Sequence, residues 1–141
     1  GPGRNALLQL AEGRARRVIR PDLVFNRLHV QDLATVITAA MQRPTLQGLY
    51  LPSDDAPAPP QDVLAFAAQL GGFALPPAVA WDDPVLSPTL RRFYESNKRI
   101  DSRGTRQALG WEPRFPTYRE GLQALAASLA GHGPALPDSS L

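Results

Sequence analysis

The 141-residue sequence contains no cysteine, which excludes disulfides, thiolate zinc sites and a cysteine nucleophile. Histidine is almost as scarce. His29 and His132 are the only two, too few to build a metal site without carboxylates at suitable spacing, and no metal site is expected. No apolar run approaches the roughly 18 residues of a membrane span, and no basic segment followed by an apolar stretch opens the sequence as in a signal peptide. A soluble, cytoplasmic protein is the expectation, compatible with the missing cysteines though not required by them. An excess of one charge is also lacking: 15 Lys and Arg against 13 Asp and Glu leave +2, too little to argue for a polyanionic partner. Finally there is no β-α-β unit with a glycine-rich phosphate loop. Gly1-Pro2-Gly3 supplies a G-x-G, but no strand precedes it and no third glycine follows at the required offset.

What is present describes an ordinary globular domain, with 43% hydrophobic and 20% charged residues; the length suits one domain with a real core. The 15 prolines fall between periodic segments and punctuate short elements. Asn5 is a good N-cap for a short helix through Leu7, Leu8, Leu10 and Ala11, which Gly13 ends. Val18-Ile19 and Leu23-Val24-Phe25 read as two short extended pieces around a turn at Arg20, Pro21 and Asp22. Leu28 to Val30 is a strand or a turn, and Asp32 can cap a helix from Leu33 to Gln42 with Val36, Ile37, Ala40 and Met41 on its apolar side. Gly48 to Leu51 has the composition of a buried strand. Gln61 to Leu70 forms a helical stripe stopped by Gly71-Gly72. Ala78 to Trp81 predicts an edge strand, Ser87-Pro88 the start of a helix to about Tyr94, and Lys98 to Ile100 a brief strand. Ser102 can cap a helix through Leu109 that Gly110 closes, and Thr117 with Glu120 makes a capping box for the last helix, whose face carries Leu122, Leu125, Ala126 and Leu129. Residues 131–141 show no periodicity and read as a flexible tail.

Several residue groups resemble functional constellations. His29 reads first as a partly buried histidine beside Asp32, with substrate contact as the alternative. Asp54-Asp55 and Asp82-Asp83 are paired carboxylates, but each abuts proline and precedes a helix, so turn formation and capping account for them. Arg14, Arg16, Arg17 and Arg20 could face phosphate groups; without interleaved aromatics a solvated helix end is the simpler account. Trp111, Phe115 and Tyr118 read as packing for the last helix. Tyr94 and Lys98 spell Y-x-x-x-K, a pairing in which lysine lowers a tyrosine's pKa. That chemistry needs both on one helix, and Asn97 to Ile100 leaves it, so a surface tyrosine and a solvated lysine are expected.

The segments R-V-I-R-P-D-L-V-F-N-R-L-H-V-Q-D-L-A (17 to 34), G-L-Y-L-P-S-D-D-A-P (48 to 57), N-K-R-I (97 to 100) and L-G-W-E-P-R-F-P-T-Y-R-E-G-L (109 to 122), following G-P-G-R-N (1 to 5), resemble in order and spacing the C-terminal part of extended short-chain dehydrogenases/reductases of the NAD-dependent epimerase/dehydratase family. The resemblance implies an α/β fold, the substrate-side portion of a Rossmann-type enzyme with an incomplete sheet and several helices, over residues 1–130. It also implies NAD or NADP as the complete enzyme's cofactor, held by an N-terminal half that carries the catalytic Tyr-x-x-x-Lys helix and is not encoded here. Tyr94 and Lys98 lie far downstream of that pair, so no catalytic residue is assigned. By the same carry-over, Pro2 and Gly3 would stand beside the nicotinamide end of the cofactor, and Asn5 would open the helix flanking the substrate. Asn26 and Arg27 would follow in a substrate-contacting segment. Phe25 occupies the position of the arginine that contacts substrate phosphate in nucleotide-sugar epimerases, which weakens the case for such a substrate; Arg27 could supply a planar cationic fork instead.

The leading expectation is therefore the substrate-binding half of an NAD(P)-dependent oxidoreductase or epimerase, inactive alone and binding no cofactor tightly alone. Its partners would be the missing dinucleotide-binding half and a small-molecule substrate, with self-association where the cut sheet is uncovered. Two rivals stay open: a free-standing small binding module without catalysis, and an anion- or nucleic-acid-binding domain using Arg14 to Arg20.

Overall fold

A computed structural model describes residue 1 and residues 3–131. Within them six helices surround one two-stranded parallel sheet. α1 (Ala6–Ala11) starts where Asn5 accepts a hydrogen bond from the Leu8 backbone N–H. β1 (Arg17–Ile19) pairs in parallel with β2 (Ala78–Ala80), Val18 opposite Val79. Between the strands lie α2 (Val30–Met41) and α3 (Pro60–Gly71), and after them α4 (Pro88–Glu95), α5 (Arg103–Leu109) and α6 (Tyr118–Gly131). α3 and α5 both end on a glycine in the left-handed region, Gly72 and Gly110, the conformation that lets a chain leave a helix while its last carbonyls stay bonded. The reciprocal cap of α6 is formed: Thr117 Oγ1 accepts from the Arg119 N–H, and the Glu120 carboxylate accepts from the Thr117 N–H.

The apolar interior has three parts. Leu7 and Leu10 of α1, Val63, Leu64, Ala67 and Ala68 of α3 and Leu122 of α6 close one helical cluster. Val18, Leu23, Leu86 and Tyr94 pack under the sheet, and Val36, Leu109 and Trp111 join α2 to α5. Removing a side chain such as Leu23, which is fully enclosed, from water stabilises by about 1.5–3 kcal/mol.

Several local expectations are corrected. Leu23 to Phe25 is not a strand; only Phe25 pairs, in an antiparallel bridge with Ala58. α2 begins at Val30, not Leu33, and its N-cap is His29, whose Nδ1 accepts from the Gln31 N–H. Asp32 is instead fully buried, and its two carboxylate oxygens accept from the backbone N–H groups of Arg114 and Phe115 at 2.8 and 3.0 Å. Gly48 to Leu51 is not a buried strand: Leu49 is 84% exposed, and no strand lies beside it among the described residues. Lys98 to Ile100 is not a strand either. The Asn26 side-chain amide takes the place of a partner strand, donating to the Lys98 carbonyl and accepting from the Ile100 N–H, each at 2.8 Å. Ser102 stands at the start of α5 without capping it; its hydroxyl donates to the Ser53 carbonyl.

The apolar side of α2 is divided. Val36 is buried, but Val30, Leu33, Ile37 (52% exposed) and Met41 (79% exposed) form a stripe at helical spacing that faces outward. On α6 Leu122 is enclosed and Leu129 exposed. No helix among the described residues is long and apolar enough to cross a membrane. Of the segment expected to be a tail, Gly131 belongs to α6, and residues 132–141, His132 with them, lie outside the described residues.

Candidate functional site

A cleft of about 410 Å³ opens between the start of α1, the segment leading into α2, and α6, within the range of small-molecule sites. Its walls include Leu64, Phe115, Leu122 and the rings of Tyr94 and Tyr118, and its polar lining includes Asn5, Arg27, His29 and Asp54.

Arg27 is fixed from below. Its Nη1 donates to the Phe25 and Ala58 carbonyls at 2.9 and 3.0 Å, the two residues of the antiparallel bridge, so the local backbone pairing sets the direction of the guanidinium. Burial lowers its pKa, opposed by the nearby Asp54 carboxylate. Asp54 is tied to the same segment by its own N–H, which donates to the Arg27 carbonyl at 2.8 Å. Its side chain is 6% exposed, and Oδ1 has no hydrogen-bond partner among the described residues. Loss of hydration pushes its pKa up to about 6, with Arg27 pulling the other way. A carboxyl group in this range is part protonated near neutrality, as expected of buried acids not fully compensated by a cation.

His29 packs on Phe115 with ring centroids 3.9 Å apart. Because Nδ1 accepts a backbone N–H, that nitrogen holds a lone pair, and the neutral ring must carry its proton on Nε2. Burial lowers the His29 pKa and favours this neutral form. Nε2 is buried without a partner among the described residues. Two of the cleft's lining residues thus hold a buried group without a partner among the described residues, the acceptor Asp54 Oδ1 and the donor His29 Nε2–H. Unsatisfied buried groups cost about 1–3 kcal/mol each, so a ligand that meets them recovers that cost.

The residues expected to bind substrate are distributed differently. Asn5 and Arg27 both line the cleft. The Asn5 amide is engaged in capping and in donating to the Gly1 carbonyl. Asn26 lies outside the main cleft, with both ends of its amide held by residues 98 and 100. Gly3 has a positive φ of 74° and lines a neighbouring depression that shares Arg4, Asn5 and Gln9 with the cleft; Pro2 lies outside the described residues. Tyr94 is buried, not a surface residue; it packs on Phe25 with centroids 5.5 Å apart, and burial raises its pKa. Lys98 falls beyond the end of α4.

Sequence reasoning missed Asp54, which it explained as half of a turn-forming pair. The pair divides: Asp54 turns into the cleft, while Asp55 forms an ion pair with Arg106 at 2.6 Å. No local pattern separates them, since the segment is not a strand and the neighbouring Ser53 and Asp54 are both buried. The other pair does act as a turn, Asp83 Oδ1 accepting from the Val85 N–H. The arginines 14 to 20 disperse: Arg14 pairs with Glu12, Arg16 reaches the cleft, and Arg20 lies over the Trp81 ring.

The described residues do not fit a dinucleotide cradle on their own. β1 runs into a turn at Pro21 and Asp22 and not into a glycine-rich turn followed by a helix. No group of three or more His, Asp or Glu able to hold a metal occurs among the described residues.

Comparison with protein-family models finds no match. A curated protein named 3-diazoavenalumate denitrifying reductase, from a Streptomyces species, is 33% identical over 104 residues, 70% of this chain and 33% of the reductase. A solved structure of a conserved protein of unknown function from Silicibacter pomeroyi is 47% identical, with a TM-score of 0.84 over 91% of this chain and 45% of that one. The chain therefore resembles part of a reductase and matches part of the solved protein in fold, while spanning a third to under a half of their lengths.

Proposed function

We propose that the chain is the substrate-side part of an NAD(P)-dependent oxidoreductase of the extended short-chain dehydrogenase/reductase type, in which the cleft between α1, α2 and α6 receives a small organic substrate. The observation that carries this reading is the cleft itself, with apolar and aromatic walls and a few fixed polar groups. That is the usual build of a small-molecule site. Likeness to a reductase favours reduction over epimerisation. NAD or NADP would be held by a dinucleotide-binding part outside these residues, and the chain would be inactive without it. The outward stripe of Val30, Leu33, Ile37 and Met41 supports that arrangement, since an apolar helix face of this kind is normally covered. The greater length of both similar proteins provides a candidate cover.

The test is a chimera in which this chain replaces the matching part of the Silicibacter pomeroyi protein, titrated with NADH and NADPH by fluorescence alongside the chain alone. Saturable binding is expected for the chimera and not for the chain. Tight binding by the chain alone, or none by a folded chimera, refutes the proposal.

A further inference from the structure

The cleft also carries information about its ligand, on the reading that it is the substrate site. Three arginines line it, Arg4, Arg16 and Arg27, against one carboxylate, Asp54. Arg27 and Asp54 lie close enough for each to influence the other's charge, which leaves the excess positive charge with Arg4 and Arg16. Both of these are exposed, whereas Asp54 is enclosed. The polarity of the cleft is therefore graded: uncompensated cations on exposed residues and, deeper, an acceptor with no donor. Phe115, Tyr94 and Tyr118 line the same cleft, flat surfaces that match a planar apolar body.

We propose that the cleft binds a small aromatic carboxylate bearing a hydroxyl or N–H group remote from the carboxylate, the donor end meeting Asp54 Oδ1 and the carboxylate end facing Arg4 and Arg16. Asp54 is then the residue that selects for the donor. A hydrogen bond to a charged acceptor discriminates strongly against an analogue lacking the donor, because the acceptor is otherwise left buried and bare. His29 supplies a fixed N–H that can serve a ligand oxygen in the same cleft. Gly121 leaves room for that imidazole: a methyl group there would stand 3.1 Å from the His29 ring.

Three probes separate the two ends: 3-(4-hydroxyphenyl)propanoate, 3-phenylpropanoate, which lacks the donor, and 3-(4-hydroxyphenyl)propan-1-ol, which lacks the carboxylate. Titrated calorimetrically into the full chain, the first should bind roughly ten- to a hundredfold more tightly than the second, the range of one charge-assisted bond. Asp54→Ala should bring that ratio near one while leaving the affinity for 3-phenylpropanoate little changed. Asp54→Asn, which keeps the shape, should reduce it several-fold and serves where the alanine variant does not fold. Arg16→Gln should weaken both carboxylates and not the alcohol. Equal affinity for the first two probes, an unchanged ratio in both Asp54 variants, or no saturable binding to the folded chain overturns the assignment. Probe selectivity without dinucleotide binding by the chimera refutes only the reductase reading; dinucleotide binding without probe selectivity refutes only this one.

Discussion

Asp32 offers a sharp test of how the cleft is held. Its carboxylate is 1% exposed and accepts from two consecutive backbone N–H groups, Arg114 at 2.8 Å and Phe115 at 3.0 Å. These fasten the loop between α5 and α6 to the first turn of α2. Asp32→Ala removes both acceptors and leaves two N–H groups facing a small void that water reaches poorly. At about 1–3 kcal/mol for each stranded donor, the loss should be about 2–5 kcal/mol, a large share of a typical domain's 5–15 kcal/mol. Asp32→Asn keeps one acceptor but turns an NH₂ toward the second N–H, so it should cost about half as much. Urea unfolding followed by Trp111 fluorescence checks this, with stability read from the midpoint at unchanged slope. Loss below about 0.5 kcal/mol for the alanine variant would mean that the loop is held by its apolar contacts and that the paired hydrogen bonds contribute nothing net. The same variant should release Phe115 from His29 and so weaken cleft ligands even where the protein stays folded.

Other perturbations have equally definite outcomes. The folded-state pKa of Asp54, about 6 against an ordinary 3.8, means that the folded chain binds more protons between these values. Its contribution is therefore fully present below pH 3.8 and is lost as pH rises through about 6. Asp54→Asn should remove that fall and stabilise the protein at pH 7–8, by about 1 kcal/mol after allowance for solvent in the cleft; a stability-pH profile identical to the parent's would refute it. Thr35→Val strands the Trp111 indole N–H, now 2.8 Å from the threonine hydroxyl, and should cost about 1–2 kcal/mol by denaturant titration. Gly110→Ala places a side chain at φ 55° and should cost about 1 kcal/mol by the same measurement. Ile37→Glu with Met41→Lys should leave the melting temperature nearly unchanged and reduce any association seen by sedimentation of the isolated chain.

The legible parts of this fold are those fixed by local chemistry. Asn5, Ser87 and the Thr117–Glu120 pair mark three helix starts, and Gly72 and Gly110 two helix ends, because each satisfies backbone groups within a few residues of itself. The parallel pairing of Val18 with Val79 was not legible, since nothing local specifies which distant strand a strand will meet. Gly48 to Leu51 has a strand's composition without a neighbour to complete it. Asp32 and Asn26 misled for a related reason: each polar side chain is used by backbone more than 70 positions away, where a reader of neighbours finds only a cap or a ligand contact. At the cleft, Arg27 and Asn5 came from family likeness, whereas Asp54 and the tautomer of His29 are tertiary facts. Burial without a partner has no signature in residue type.

The pairing of β1 with β2 also constrains the order of events in folding. Arg17 meets Ala78 only after about sixty intervening residues have been gathered into a loop, and the entropy of closing it is lost before any ladder bond compensates. α1 and α3 can meet across fewer residues and without strand register, and once their apolar faces join, β1 is held next to α3 and the effective loop to β2 shrinks to the short link after Gly71. The sheet is therefore expected to form after the α1–α3 contact. Substitutions in the α1–α3 contact, such as Leu7→Ala, should slow refolding, while Val79→Ala should chiefly hasten unfolding.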